Sequence, residues 1–378
     1  MIRNSTILLL AYAPLFGQHY ALPGQQYTMS TIAGDGVAGA FPTNPTSVAV
    51  DSEGNVVFGD WSGSIRKIWK RGGVFTIVAG TGIIGYGGDG GQATSAKLGR
   101  SIGIALDTAG NIYIADGDNN RIRRVEVSTG IITTIAGTGA AKDSGDGGAA
   151  INAGVSRPTG IAVDSAGDLY FSSSWSRVRK LSTDNGLIAT VAGQFITAFG
   201  GDGGPAIDAL FWDPVPSAVN QTGDIFIADY ENSRIRMIRQ KTGNVTTVAG
   251  SGTCPAGPPP ISVSICQGGF SGDGGPATSA SLNYASAVAL DAAGNLYIAD
   301  TINHRIRRVD SSTGFIYTIA GTGVSGFSGD GGPALEAEIT FPAAITAGPS
   351  GKVYFADEGN SRIRVLTPQN STDRKSVV

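Results

Sequence analysis

Three features of the sequence predict an all-β fold built from repeated small sheets. The 378 residues include 57 glycines and only 15% charged side chains, about twice the ~7% glycine of an ordinary protein. There is no Gly-x-y period, so collagen is excluded. Short runs of Val, Ile, Leu and Tyr alternate with Gly, Asp and Asn, the pattern of strands joined by tight turns. A unit of four such runs recurs, each copy closing on Ala-Gly at Ala33, Ala79, Ala136, Ala192, Ala249 and Ala320, spaced 46, 57, 56, 57 and 71 residues apart. One four-stranded sheet cannot bury both its faces, so units of this kind stack on one another. The prediction is a six-bladed β-propeller of four-stranded antiparallel blades.

The unit is clearest over 286–321. Runs at 287–290, 296–299, 305–309 and 315–320 supply four strands. The first turn carries a glycine in every copy, at Gly54, Gly110, Gly167, Gly223, Gly294 and Gly351, as a hairpin needing positive φ requires. Asp begins that turn at Asp51, Asp107, Asp164 and Asp291, but the place is taken by Asn220 and Gly348 in the other two copies. The last unit runs out before a fourth strand, and the first copy is preceded by an orphan strand at 27–33. Each end supplies what the other lacks, so the N-terminal strand is expected to close the last blade, leaving no exposed edge.

Residues 160–170 read Gly-Ile-Ala-Val-Asp-x-x-Gly-x-Leu-Tyr, and 299–307 read Ala-Asp-x-x-Asn-x-Arg-Ile-Arg. This pattern resembles NHL repeats and recurs six times over roughly 27–367. The added Gly-Asp-Gly-Gly segments resemble those of bacterial exported NHL proteins and of teneurin-type propellers. The resemblance implies the fold. Activity is left open, because related six-bladed propellers include adhesion modules, sensor domains, peptide-amidating lyases, streptogramin lyases and gluconolactonase-like enzymes.

The flanks carry their own signals. Arg3, the apolar run 7–16 and Ala21 make residues 1–21 an expected export signal, followed by a single propeller at 22–367 and a polar tail at 368–378. The apolar run is too short to span a bilayer, which needs roughly 20 residues, and no other stretch is apolar enough. The expected location is secreted, periplasmic or extracellular. Cys254 and Cys266, the two cysteines, share one Pro/Gly-rich insertion; an exported loop favours a disulfide between them. A net charge of −3 without a basic block excludes a nucleic-acid footprint. The expected state is a monomer.

Antiparallel order assigns the loops to faces. The first-to-second and third-to-fourth turns share one face, and both are short. The second-to-third loops and the long blade-to-blade connections share the other, together with Asp89, Asp146, Asp202, Asp273 and Asp330 of the Gly-Asp-Gly-Gly segments. Loops on a rigid scaffold are where binding resides, so this is the expected working face. Asp60, Asp116, Asp229, Asp300 and Asp357 end second strands, and Arg121, Arg177, Arg234, Arg305 and Arg362 open third strands. Repetition in nearly every blade assigns both sets to blade structure, by Asp–Arg pairing or amide capping. The Gly-Asp-Gly-Gly aspartates are expected as turn formers. Calcium is their alternative, though each segment offers one carboxylate.

Ligand contacts are expected where the repeat breaks. Trp61 and Trp175 replace the usual loop residues of blades 1 and 3, and blade 3 has Ser173 in place of the loop aspartate. Just before each first strand, at the mouth of the central channel, the equivalent residues are Asn44, Arg100, Arg157, Asp213, Tyr284 and Phe341. Arg100 and Arg157 suit a carboxylate or phosphate, while Tyr284 and Phe341, extended by Trp212, offer an apolar wall. No Ser–His–Asp or Cys–His set can be assembled, His304 is the one histidine after the export signal, and none is expected near the mouth. The sequence therefore predicts a non-catalytic propeller binding a protein, peptide or glycan, without a cofactor. The runner-up is a metal-dependent lactonase- or lyase-like enzyme.

Overall fold

The computed structural model describes residues 25–34, 44–71, 73–100, 102–252 and 268–369. Among these, six antiparallel sheets stand where the repeats predict them. Strands follow chain order from the channel outward. Blade 4, for example, runs Pro214–Val219, Ile225–Asp229, Arg234–Ile238 and Val245–Ala249. The six hairpin glycines all take positive φ, from 72° to 89°.

Blade 6 draws Pro342–Ala347, Val353–Asp357 and Arg362–Gln369 from one side of the chain and Gln26–Ala33 from the other. Met29 lies opposite Leu366 and Tyr27 opposite Pro368. A one-residue bulge separates the partners of Ile235 and Arg236 in blade 4, and the same bulge recurs between Thr31 and Ala33. The N-terminal strand is thus a fourth strand in twist as well as in place. The third strand of blade 6 runs to Gln369, past the expected domain end at 367, because Gln26 and Tyr27 give Gln369 and Pro368 partners. Residues 1–21, Cys254, Cys266 and the tail beyond 369 lie outside the described residues.

The core is divided among the seams. Each of six apolar clusters joins two adjacent blades. The one that closes the ring packs Val48, Val56 and Phe58 of blade 1 against Ala33, Ala344, Ala356 and Ile363 of blade 6. Burial on this scale, at about 25 cal/mol per Å² of apolar surface, fixes neighbouring blades in one orientation.

The buried ion pairs depart from expectation. The arginine that pairs with the second-strand aspartate is two residues beyond the one that opens the third strand. Arg236 Nη1 lies 3.4 Å from Asp229 Oδ2, and its Nη2 donates to Asp202 Oδ1 at 2.7 Å. Arg307 likewise joins Asp300 to Asp273, and Arg364 joins Asp357 to Asp330. The Gly-Asp-Gly-Gly aspartates are therefore the far ends of buried bridges as well as turn residues. The opening arginines share that strand face but sit at its rim. There they stack on aromatics of the connections, Arg121 on Tyr86 at 3.7 Å, Arg305 on Phe270 at 3.8 Å and Arg362 on Phe327 at 3.5 Å. Blade 3 lacks the second-strand aspartate, and Asp143 from the preceding connection replaces it by accepting from Ser173 Oγ and from the Ser156 N–H.

Candidate ligand site at the channel mouth

The six innermost strands line the channel with small residues, among them Ser47, Gly103, Gly160, Ser217 and Ala287, around a space of about 80 Å³. The second-to-third loops and the connections do share one face, since Asn119 donates to Gly85 O, Asn232 to Ala198 O, Asn303 to Gly269 O and Asn360 to Gly326 O.

At the mouth, Asn44, Arg157, Asp213, Tyr284 and Phe341 all take left-handed backbone, with φ between 43° and 52°. Glycine and asparagine fit that conformation most easily, and other L-residues lose roughly 1–2 kcal/mol in it. Arg, Asp, Tyr and Phe there show that backbone ease did not choose the side chains. A second left-handed ring, Asn120, Trp175, Ser233, His304 and Ser361, ends the second-to-third loops and grips the first. Asn120 Oδ1 accepts the Arg157 N–H at 2.9 Å, Trp175 O the Asp213 N–H at 2.7 Å, and Ser233 Oγ the Tyr284 N–H at 3.1 Å. His304 Nδ1 accepts the Phe341 N–H at 3.3 Å, and Ser361 Oγ donates to Asn44 Oδ1 at 3.3 Å. Each mouth residue in these pairs is held by the blade before its own. Arg100 differs, its N–H bonding Asp118 Oδ2 of the same blade at 2.9 Å.

His304 corrects the sequence reading, which placed no histidine here. Its ring lies 5.0 Å from the Phe341 ring. Burial first and then neighbouring Arg305 push its pKa down, the direction that suits an Nδ1 accepting the Phe341 N–H. The loop's face was readable from strand order; its reach across the seam depends on the left-handed turn at His304 itself.

The chemistry concentrates at blades 3 to 6. Arg157 stacks on exposed Trp175 at 4.7 Å, and Asp213 follows on the next blade. Tyr230 and Tyr284 meet edge to face at 5.1 Å, and burial pushes the Glu231 carboxyl up against the opposing influence of Tyr284. Burial lifts Asp213 to about 7, Glu231 adds to the rise, and Arg157 opposes it. Glu358 from blade 6 is lifted to about 7 by burial. Tyr230, pushed up to about 12 by burial first and then by Glu231, Asp213, Tyr284 and Glu358, ties these groups into one cluster. Tyr230, Glu231 and Glu358 escaped the sequence reading because they stand in loop positions where the blades vary freely. Of the predicted set, Arg157, Trp175, Asp213 and Tyr284 come together, and Phe341 joins His304. Arg100 and Trp61 are exposed elsewhere on the same face. No cluster of three or more metal-ligating side chains occurs among the described residues.

The family model of the teneurin NHL domain matches residues 85–143, the stretch holding the first Gly-Asp-Gly-Gly segment and blade 2. Over that stretch the chain is similar to NHL repeats, and its fold is a six-bladed β-propeller. Human teneurin-1 is 27% identical over 355 residues, 85% of this chain but 12% of teneurin-1. NHL repeat-containing protein 2 of Bos taurus is 25% identical over 364 residues, 87% of this chain and 47% of that protein. The chain thus spans less than half the length of either relative. Two solved structures share the fold. One is an auxiliary nutrient binding protein from Bacteroides thetaiotaomicron (TM-score 0.63, 14% identity, covering 92% of this chain and 77% of that one). The other is virginiamycin B lyase from Staphylococcus aureus (TM-score 0.52, 15% identity, 90% and 99%).

Proposed function

We propose that this propeller is an exported binding module that takes a protein, peptide or glycan at the channel mouth of its long-loop face. The observation that carries the reading is the convergence of Arg157, Trp175, Asp213, Tyr230, Glu231 and Tyr284 from three successive blades. The exposed indole and the half-buried phenol rings offer flat faces for a sugar ring or an aliphatic side chain. The guanidinium and carboxyl groups between them supply directional hydrogen bonds. The leader-like residues 1–21 support export, and the nutrient-binding neighbour is consistent with a ligand-binding role.

Combined glycan and peptide arrays probed with the propeller lacking residues 1–21 test this reading. Binding to a defined ligand class, reduced about tenfold or more by Tyr284→Ala with Trp175→Ala, is expected to survive chelator. No array signal above that of the double variant would defeat it. One observation favours the runner-up: His304 stands at the mouth with Nδ1 occupied, leaving Nε2 to face a substrate. Turnover of a lactone or a cyclic depsipeptide, abolished by His304→Ala, would make the protein an enzyme.

A further inference from the structure

Blade 3 exchanges two residues that its sister blades keep, and both changes lie beneath the mouth. Three residues before the aspartate of the Gly-Asp-Gly-Gly segment, four connections carry an aromatic, Tyr86, Phe199, Phe270 or Phe327, and the connection entering blade 3 carries Asp143. Every other blade ends its second strand on aspartate, and blade 3 ends it on Ser173. The carboxylate has moved from strand to connection while staying buried, with Asp143 9% exposed.

The move changes what the carboxylate holds. In blades 2, 4, 5 and 6 the second-strand aspartate accepts the N–H of the residue just before the mouth position, from Gly99, Trp212, Asn283 and Thr340 at 2.7 to 2.9 Å. That same aspartate faces the buried arginine at 3.2 to 3.7 Å and accepts from an asparagine of the second-to-third loop. In blade 3, Asp143 Oδ1 accepts the Ser156 N–H at 3.1 Å and the Ser173 hydroxyl, while Oδ2 meets no partner. Arg179 is served by Asp146 and by the carbonyls of Gly154 and Ser144. The loop after Ser173 has three residues, 174–176, against four in blade 4, and no asparagine. Its anchors are the Ser173 bond to Asp143 and the Ser174 N–H, which donates to Ser156 O at 2.9 Å.

Ser156 and Ser173 stand immediately before Arg157 and the Ser174–Trp175 turn. Arg157, Ser174 and Trp175 have left-handed backbone, with φ of 43°, 55° and 63°. None of these residue types favours that conformation, which persists where the surroundings impose it. The Arg157 guanidinium lies 4.7 Å from the Trp175 ring centre, and Trp175 O accepts the Asp213 N–H at 2.7 Å. One buried carboxylate is therefore bonded to the root of each partner in the stack and, through Trp175, linked to the next mouth residue. We propose that Asp143 is a positioning residue of the mouth, joining Ser156 to Ser173 so that the Arg157 guanidinium and the Trp175 indole are held together as a preformed ligand platform. Its value rests on the mouth being the ligand site proposed above, where ordering the platform before binding lowers the cost of ordering it on contact. Because both bonds end on Oδ1, an acceptor at that atom is what the arrangement needs, and the charge is not.

The test compares Asp143→Ala with Asp143→Asn in the full chain. It reads the indole N–H resonances of the four tryptophans, assigned by Trp→Phe replacement, and the signal on the glycan and peptide arrays. Asp143→Ala is expected to move the Trp175 resonance and to lower the array signal about tenfold. The resonance of Trp69, tied to Thr76 in blade 1, is expected to stay in place. Asp143→Asn keeps an oxygen acceptor and is expected to restore both readouts. If Asp143→Ala melts early and moves all four resonances, Ser173→Ala, which leaves the Asp143 bond to the Ser156 N–H, gives the same readout. A Trp175 resonance that stays put in whichever variant folds overturns the proposal, as does Asp143→Asn behaving like Asp143→Ala. An array signal kept at wild-type strength despite a moved resonance overturns it too. A wild-type chain that binds nothing on the arrays defeats the binding reading instead, and the Trp175 resonance then decides alone whether Asp143 positions the pair.

Discussion

Asp213 illustrates how a single residue exposes function. Its folded-state pKa of about 7 lies above the ~3.9 of an unfolded aspartate. Any stability linked to the protonated carboxyl is complete below about pH 4 and is lost as pH rises through 7. At pH 8 the mouth therefore holds a carboxylate that opposes folding by about 1–2 kcal/mol after solvent screening. Asp213→Asn is expected to raise the melting temperature by about 2 °C at pH 8 and to leave it unchanged at pH 4; equal shifts at both would remove the titration from the account. Asp89 has the opposite sign. Burial pushes its carboxyl up, but Thr134, Tyr86 and Arg123 outweigh burial and hold it below the usual value. Its contribution is present above the unfolded pKa and is lost as pH falls through the lower folded one. The difference was not legible in sequence, where neither residue type nor spacing gives the depth of a carboxylate or the partners that surround it. What the sequence did show was that Asp213 varies between blades while Asp89 repeats.

Buried arginines set the stability of each element. Arg236 is fully buried and joins two carboxylates of different segments, and burial lifts Asp229 to about 6 even against the arginine. Arg236→Met removes the compensating charge while filling similar space. Its expected cost is about 3–5 kcal/mol by denaturant unfolding, and a loss below about 1 kcal/mol would deny the bridge its role. Strand boundaries, hairpin glycines and the Asp/Arg repetition were all legible, because each arises from local backbone preference or strict recurrence. The pairing was misassigned by two residues because Arg234 and Arg236 share a strand face. Depth along that face, together with the aromatic that stacks on the outer arginine, decides which one bridges the two carboxylates.

Closure by Gln26–Ala33 governs the molecule. Met29 is fully buried in the outer strand of blade 6, so Met29→Lys places an ammonium inside the seam. It is expected to cost several kcal/mol and to raise hydrogen exchange in Arg362–Gln369 before the blades opposite. Exchange that rises uniformly would mean the ring does not depend on this strand. The ring was readable because its two ends complement each other in sequence. The mouth was half readable: the first-strand entries could be aligned, whereas the loops that reach across the seams, His304 and Tyr230 among them, could not. The central claim is that the mouth selects a ligand by side chains the fold does not need. Calorimetric titration of an array-selected ligand into the wild type and into Arg157→Glu, with melting curves on both, tests it most directly. The account predicts at least about tenfold weaker binding with melting temperatures within about 2 °C; unchanged affinity, or a parallel collapse of folding, would contradict it.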